Sequence, residues 1–119
     1  MATTFDPKTP LILTLGEPAG VGPEIIARAW TATATETPFV VIGDARLLAS
    51  QGVPVIEIGA PSDAPAAFRC GLPVLHHPAP APVQPGRPDP RNAPVVADWI
   101  EQAVALALVG EASAVVTAP

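Results

Sequence analysis

Apolar positions along this chain gather in short blocks separated by glycine, proline and polar residues. LILTL at 11–15 is an apolar run bounded by Pro10 and Gly16, the pattern of a strand buried on both faces of a parallel sheet. FVVIG at 39–43 repeats the signal and ends at Gly43-Asp44, and VIEI at 55–58 gives a shorter strand. Between these runs the period changes to that of helices. Gly22 is read as an N-cap with Pro23 at the first helical position, and Glu24 complements the positive end of the helix dipole. Ile25, Ile26, Ala29 and Trp30 then form an apolar face, and TATATET at 31–37 reads as fraying or loop. A short helix is expected over 44–51, stopped by Gly52 and Pro54. Alternating strands and helices predict an α/β fold with a doubly wound, mostly parallel sheet between two helical layers.

The second half starts differently, with ten prolines in residues 61–94. Leu72, Val74 and Leu75 are expected to make one more short strand, at an edge of the sheet. Residues 76–94 read as an extended proline-rich loop, either functional or packed against something outside the chain. A clear helix follows. Val96, Trp99, Ile100, Ala103, Val104 and Ala107 recur with helical spacing while Asp98, Glu101 and Gln102 stay off the stripe. Gly110 suits a left-handed C-cap, and ASAVVTAP at 112–119 reads as a buried strand leading into a turn.

Composition narrows the function classes. The 119 residues make one small domain, 1–119, with 49% hydrophobic, 14% charged and 4% aromatic residues, so the core is expected to be Ala, Val, Ile and Leu. A net charge of −5 with six scattered basic residues argues against a nucleic-acid partner. No apolar run nears the roughly 20 residues a bilayer demands, so no membrane association is expected. MATTFDPKTP shows no signal segment. The single Cys70 excludes an internal disulfide, fits a reducing cytoplasm, and reads as a small, partly buried hydrophobe.

The candidate chemistry centres on GEPAGVGPE at 16–24. A phosphate-cradling P-loop needs Gly-Lys-Ser/Thr at the helix start; Gly22-Pro23-Glu24 loses a donor and places a negative charge there. A dinucleotide fingerprint needs glycines spaced G-x-G-x-x-G, whereas here they fall at Gly16, Gly20 and Gly22. Asp44, at the end of the second strand, stands near where a ribose-binding acid belongs, although its simpler role is a helix N-cap. The remaining reading is a rigid turn. Pro18 fixes one φ, Gly20 and Gly22 permit positive φ, and Pro23 sets the helix angle. Glu17 is then free to point into a cleft at the carboxyl end of the strand. Gly16, Glu17, Gly20 and Gly22 accordingly line a ligand-facing turn, with Thr117 at its edge.

The string LTLGEPAGVGPEII resembles the opening of the 4-hydroxythreonine-4-phosphate dehydrogenase family of vitamin B6 biosynthesis. PGRPDPRNAPVVADWIEQAVALALVGEASAVVTAP resembles that family's second segment, in which a helix with Ile-Glu-x-Ala-Val precedes a strand ending in Val-Thr-Ala-Pro. The resemblance implies a fold like that of isocitrate and isopropylmalate dehydrogenases. It also implies NAD as cofactor, with Gly16, Glu17, Gly20 and Gly22 bordering its cleft, a phosphorylated small-molecule substrate that is oxidised and decarboxylated, and a homodimer when full length. A divalent metal acting as Lewis acid on the hydroxyl would be held by histidines at the dimer interface.

Members of that family are longer, and the resemblance assigns the histidine ligands and the phosphate-holding basic residues to chain beyond Thr-Ala-Pro. The only histidines here, His76 and His77, match no family ligand, so no metal site and no catalytic residue is expected within 1–119. The expectation is therefore an N-terminal part of a dehydrogenase, inactive by itself. The alternatives are a paralogue acting on phosphorylated threonate or erythronate, and a non-catalytic binding or assembly module.

Overall fold

The computed structural model describes residues 9–33 and 37–119. Residues 1–8, most of the segment read as lacking a signal, and residues 34–36 of TATATET lie outside the described residues. The strands are β1 (Leu11–Thr14), β2 (Phe39–Gly43), β3 (Val55–Glu57), β4 (Leu72–His76) and β5 (Val115–Thr117). The helices are α1 (Gly22–Ala32), α2 (Ala45–Ala49), α3 (Ala64–Phe68) and α4 (Ala93–Leu108), with single 3-10 turns at Pro61–Asp63 and Pro90–Asn92.

The strands form one parallel sheet in the order β3-β4-β2-β1-β5. From β1 the chain steps through β2 to β3 on one side, then returns through β4 to β5 on the other. With right-handed crossovers, α1 and α2 cover one face and α3 and α4 the other. The expected three-layer α/β architecture is what is observed. All five positions of β2 are buried, which requires cover on both faces because successive side chains alternate. The core is aliphatic, built on Ile12, Leu15, Ile26, Ile42, Leu48 and Leu72, with the fully buried Trp99 as its largest side chain. Phe39 and Phe68 meet edge to face at 5.0 Å, and Trp30 donates its indole N–H to the carbonyl of Phe68.

Several local expectations change. β4 is an interior strand, paired with β2 and β3, not an edge. The cause is α3, which links β3 to its neighbour; at five residues it is too short to show a period. Gly22 and Pro23 are the first two residues of α1 rather than its cap and first residue, and Val21 caps. Ile25 is exposed while Ile26 and Ala27 are buried. In α4 the inward stripe is Val95, Trp99 and Ala103, so Ile100 and Val104 stand outside it. β5 is an edge strand with Val116 and Thr117 exposed, not a buried one. Cys70 is exposed.

The end of α4 follows its sequence signal. Gly110 has φ +82°, its N–H reaches Ala107 O at 3.1 Å, and Glu111 N–H reaches Leu106 O at 2.9 Å. This pair of bonds is the Schellman closure, which satisfies the helix's last carbonyls.

Candidate functional site

The carboxyl ends of parallel strands converge where β1 runs into the 15–22 turn, and in open α/β sheets this is the ligand-binding edge. Gly16 takes φ +76°. A Cβ there would lie 2.3 Å from Pro119 O and 2.6 Å from Ala118 O, so glycine is required by both conformation and space. Two bonds sew the turn to the end of β5: Glu17 N–H to Pro119 O and Ala118 N–H to Thr14 O, each 3.1 Å. Gly22 is also obligatory, for a reason the sequence did not give. Neither Gly20 nor Gly22 has positive φ, but a Cβ on Gly22 would fall 2.1 Å from Leu15 O. The turn folds back on its own entry strand, and only a missing side chain lets it do so.

Glu17 does not extend into a cleft. Its Oε1 accepts the Ala19 N–H at 3.1 Å, and its backbone carbonyl accepts the Gly20 N–H at 2.9 Å. The N–H groups of Glu17, Ala19 and Gly20 are thus engaged inside the protein. The Glu17 charge is used to stiffen the turn.

Beside the turn lies an open groove of about 660 Å³ between residues 18–23, α2 and the proline-rich segment. Gly20 and Val21 form one wall, Leu47 and Gln51 another, Val83 and Gly86 the third. Gly16, Glu17 and Gly22 stand behind that wall and fix its shape. The third wall is held by polar side chains of the chain itself. Asp44, 1% exposed, caps α2 by accepting the Arg46 N–H at 3.0 Å, pairs with the Arg46 guanidinium at 2.7 Å, and accepts the Ala79 N–H at 3.0 Å. Burial pushes its carboxyl pKa up, but the Arg46 side-chain bond and the Ala79 and Arg46 amides outweigh this and hold it below the usual value. With its oxygens so committed, Asp44 is the helix cap and not a ribose ligand. Asn92, also 1% exposed, takes the Ala81 N–H at 2.9 Å and returns its amide to Ala81 O at 3.3 Å.

The proline-rich segment therefore packs against its own chain. Gly86 N–H donates to Ala19 O at 2.8 Å, and the Trp99 indole donates to His77 O at 2.9 Å. Asn92 was invisible as a site residue because it sits among prolines in a stretch that reads as loop. Its one signal is position: an Asn just before a long helix is a common cap, and here its side chain turns to the loop.

The histidines are structural. His76 Nδ1 accepts the Ala45 N–H at 3.0 Å, so that ring nitrogen is taken up by the start of α2. His77 meets Gln102 Oε1 at 3.3 Å and the Trp99 ring edge to face. Among the described residues no three His, Cys, Asp or Glu side chains gather around a common point, so the residues present do not fit a divalent metal. Thr117 lies in register with Thr14 at the end of β5, and the Thr14 hydroxyl is buried without a hydrogen-bond partner.

No family model matches the chain. It is 52% identical over 113 residues to the 4-hydroxythreonine-4-phosphate dehydrogenase of Caulobacter vibrioides, covering 92% of this chain and 34% of that protein. Against the enzyme of the same name from Paracoccus denitrificans it is 48% identical over 110 residues, covering 92% and 32%. The crystal structure of 4-hydroxythreonine-4-phosphate dehydrogenase from Klebsiella pneumoniae superposes with a TM-score of 0.78 at 30% identity, over 93% of this chain and 37% of that one. The chain thus spans about a third of the length of the curated relatives it matches. By sequence and by fold, over the part it spans, this chain is similar to about a third of the 4-hydroxythreonine-4-phosphate dehydrogenases it matches.

Proposed function

We propose that this chain is the turn-bearing part of an NAD- and divalent-metal-dependent enzyme that oxidises 4-phosphohydroxy-L-threonine in the cytoplasm and acts as a homodimer when full length. NAD, when bound, would supply the acceptor for the hydride of the carbon bearing the substrate hydroxyl, whose O–H proton is released, and the resulting β-keto acid would lose carbon dioxide. What this chain contributes is shape. Gly16, Glu17, Gly20 and Gly22 hold the wall of the cofactor cleft, while Asp44 and Asn92 hold the facing loop. The metal ligands and the groups that bind the substrate phosphate belong to the remaining two-thirds of the relatives' length, since the histidines here are committed to backbone and aromatic contacts.

The observation that carries this reading is the turn itself. The amides of Glu17, Ala19 and Gly20 and one oxygen of its carboxylate are bonded internally, and it is tied by backbone bonds to the end of β5. Such a turn is a preorganised wall rather than a binding loop. The test uses a full-length dehydrogenase containing this segment, with NAD, a divalent metal and the phosphorylated substrate. Turnover that falls at least tenfold on Gly22→Ala, with the protein still folded, supports the reading. An unchanged rate and NAD affinity in that variant would contradict it.

A further inference from the structure

One ring nitrogen in the molecule has two neighbours that require opposite states of it. His76 Nδ1 accepts the Ala45 N–H at 3.0 Å and lies 4.0 Å from Glu57 Oε1. Only the neutral ring can accept from the amide, because both nitrogens of an imidazolium are donors. Only the charged ring can pair with the carboxylate. Histidine ordinarily changes charge between about pH 5 and 8, and the His76 side chain is 30% exposed, so a proton from solvent can reach it.

The amide partner belongs to a wall of the groove. α2 has only five residues, and its start is pinned twice: Asp44 takes the Arg46 N–H and His76 takes the Ala45 N–H. Ala45 is buried, so its N–H, once refused by the ring, finds an acceptor only if the first turn of α2 moves toward water. Arg46, Leu47 and Ser50, which line the groove, would move with it. The other charges near the ring leave this competition intact. Asp44, its pKa lowered, stays ionised while a histidine titrates, and its charge is matched by Arg46 at 2.7 Å. β2 and α3, which also pack against β4, bring no titratable side chain. His77 turns instead to Gln102 and the Trp99 ring.

We propose that His76 is a pH-operated latch on α2: neutral, it holds the start of the helix and with it the groove wall; protonated, it releases Ala45 and turns to Glu57. The latch depends on the geometry of α2 and not on the catalytic reading.

NMR of the 119-residue chain, followed from about pH 8 to 5, tests it. The Ala45 and Leu47 amide resonances should move with the midpoint at which the His76 ring titrates. Exchange of the Ala45 amide, corrected for its intrinsic pH dependence, should quicken roughly tenfold or more on protonation. His76→Gln keeps an acceptor but cannot titrate, and should abolish the transition at Ala45. Glu57→Gln should move it to lower pH, since the charged ring loses its partner, and His77→Gln should leave it in place. An Ala45 amide in the unaltered chain that ignores the His76 titration would overturn the latch, as would a transition that persists in His76→Gln or is indifferent to Glu57→Gln.

Discussion

The backbone N–H of Glu17 donates to the carbonyl of Pro119 at 3.1 Å, so the turn after β1 is closed by the residues that follow β5. That bond brings the carboxyl ends of β1 and β5 together and leaves no room for a side chain on Gly16, whose Cβ would lie 2.3 Å from the same carbonyl oxygen. The rigidity of the turn is therefore a tertiary property.

Gly16→Ala and Gly22→Ala should each destabilise the chain by ~2 kcal/mol, since a backbone atom, unlike a flexible side chain, must move. Gly59, with open space around it, is the control, and Gly59→Ala should leave stability within about 1 kcal/mol of the parent. Denaturant melts of the three variants check this. Equal stability of all three would contradict the packing described for the turn.

Asp44 predicts a pH dependence. Its folded-state pKa is lowered from 3.8, so the unfolded chain binds the proton more readily than the folded one. The stability this contributes is complete above the ordinary carboxylate value and is lost as pH falls through the lowered one. Asp44→Asn should destabilise the protein at pH 7 and flatten the stability profile below pH ~4. Melts across that range check it, and an unchanged slope in the variant would contradict the assignment.

Asn92 should hold the proline-rich segment in place. Asn92→Ala removes both bonds to Ala81 and leaves that buried amide unpaired, a cost of about 1–3 kcal/mol. Hydrogen exchange at the Ala81 amide should accelerate more than exchange in β2. Uniform acceleration everywhere would indicate general loosening instead.

Most of the architecture was legible because the buried strands LILTL and FVVIG and the long α4 carry strong periods, and because Asp44 and Gly110 sit where caps belong. Helical faces were less legible. Ile25, Ile100 and Val104 match the helical spacing yet lie outside the buried stripe, since periodicity reports an apolar arc and not which part of it a neighbour covers. α3 was too short to show a period, which moved β4 from edge to interior. The turn was recognised as stiff, but its stiffness was placed on the φ of Gly20 and Gly22. The actual constraints are the positive φ of Gly16 and the approach of Gly22 to Leu15, both set by contacts distant from any local pattern. Glu17 illustrates the same limit: a carboxylate in a turn reads as a ligand group until its acceptor is seen to be spent on Ala19.

The claim that this chain supplies shape and not chemistry is tested most directly by assaying NAD reduction. The 119-residue protein is compared with a full-length dehydrogenase, using 4-phosphohydroxy-L-threonine and a series of divalent metals. Turnover is expected from the full-length enzyme and none from this chain at any metal concentration. Measurable turnover by the verified 119-residue protein would contradict the account.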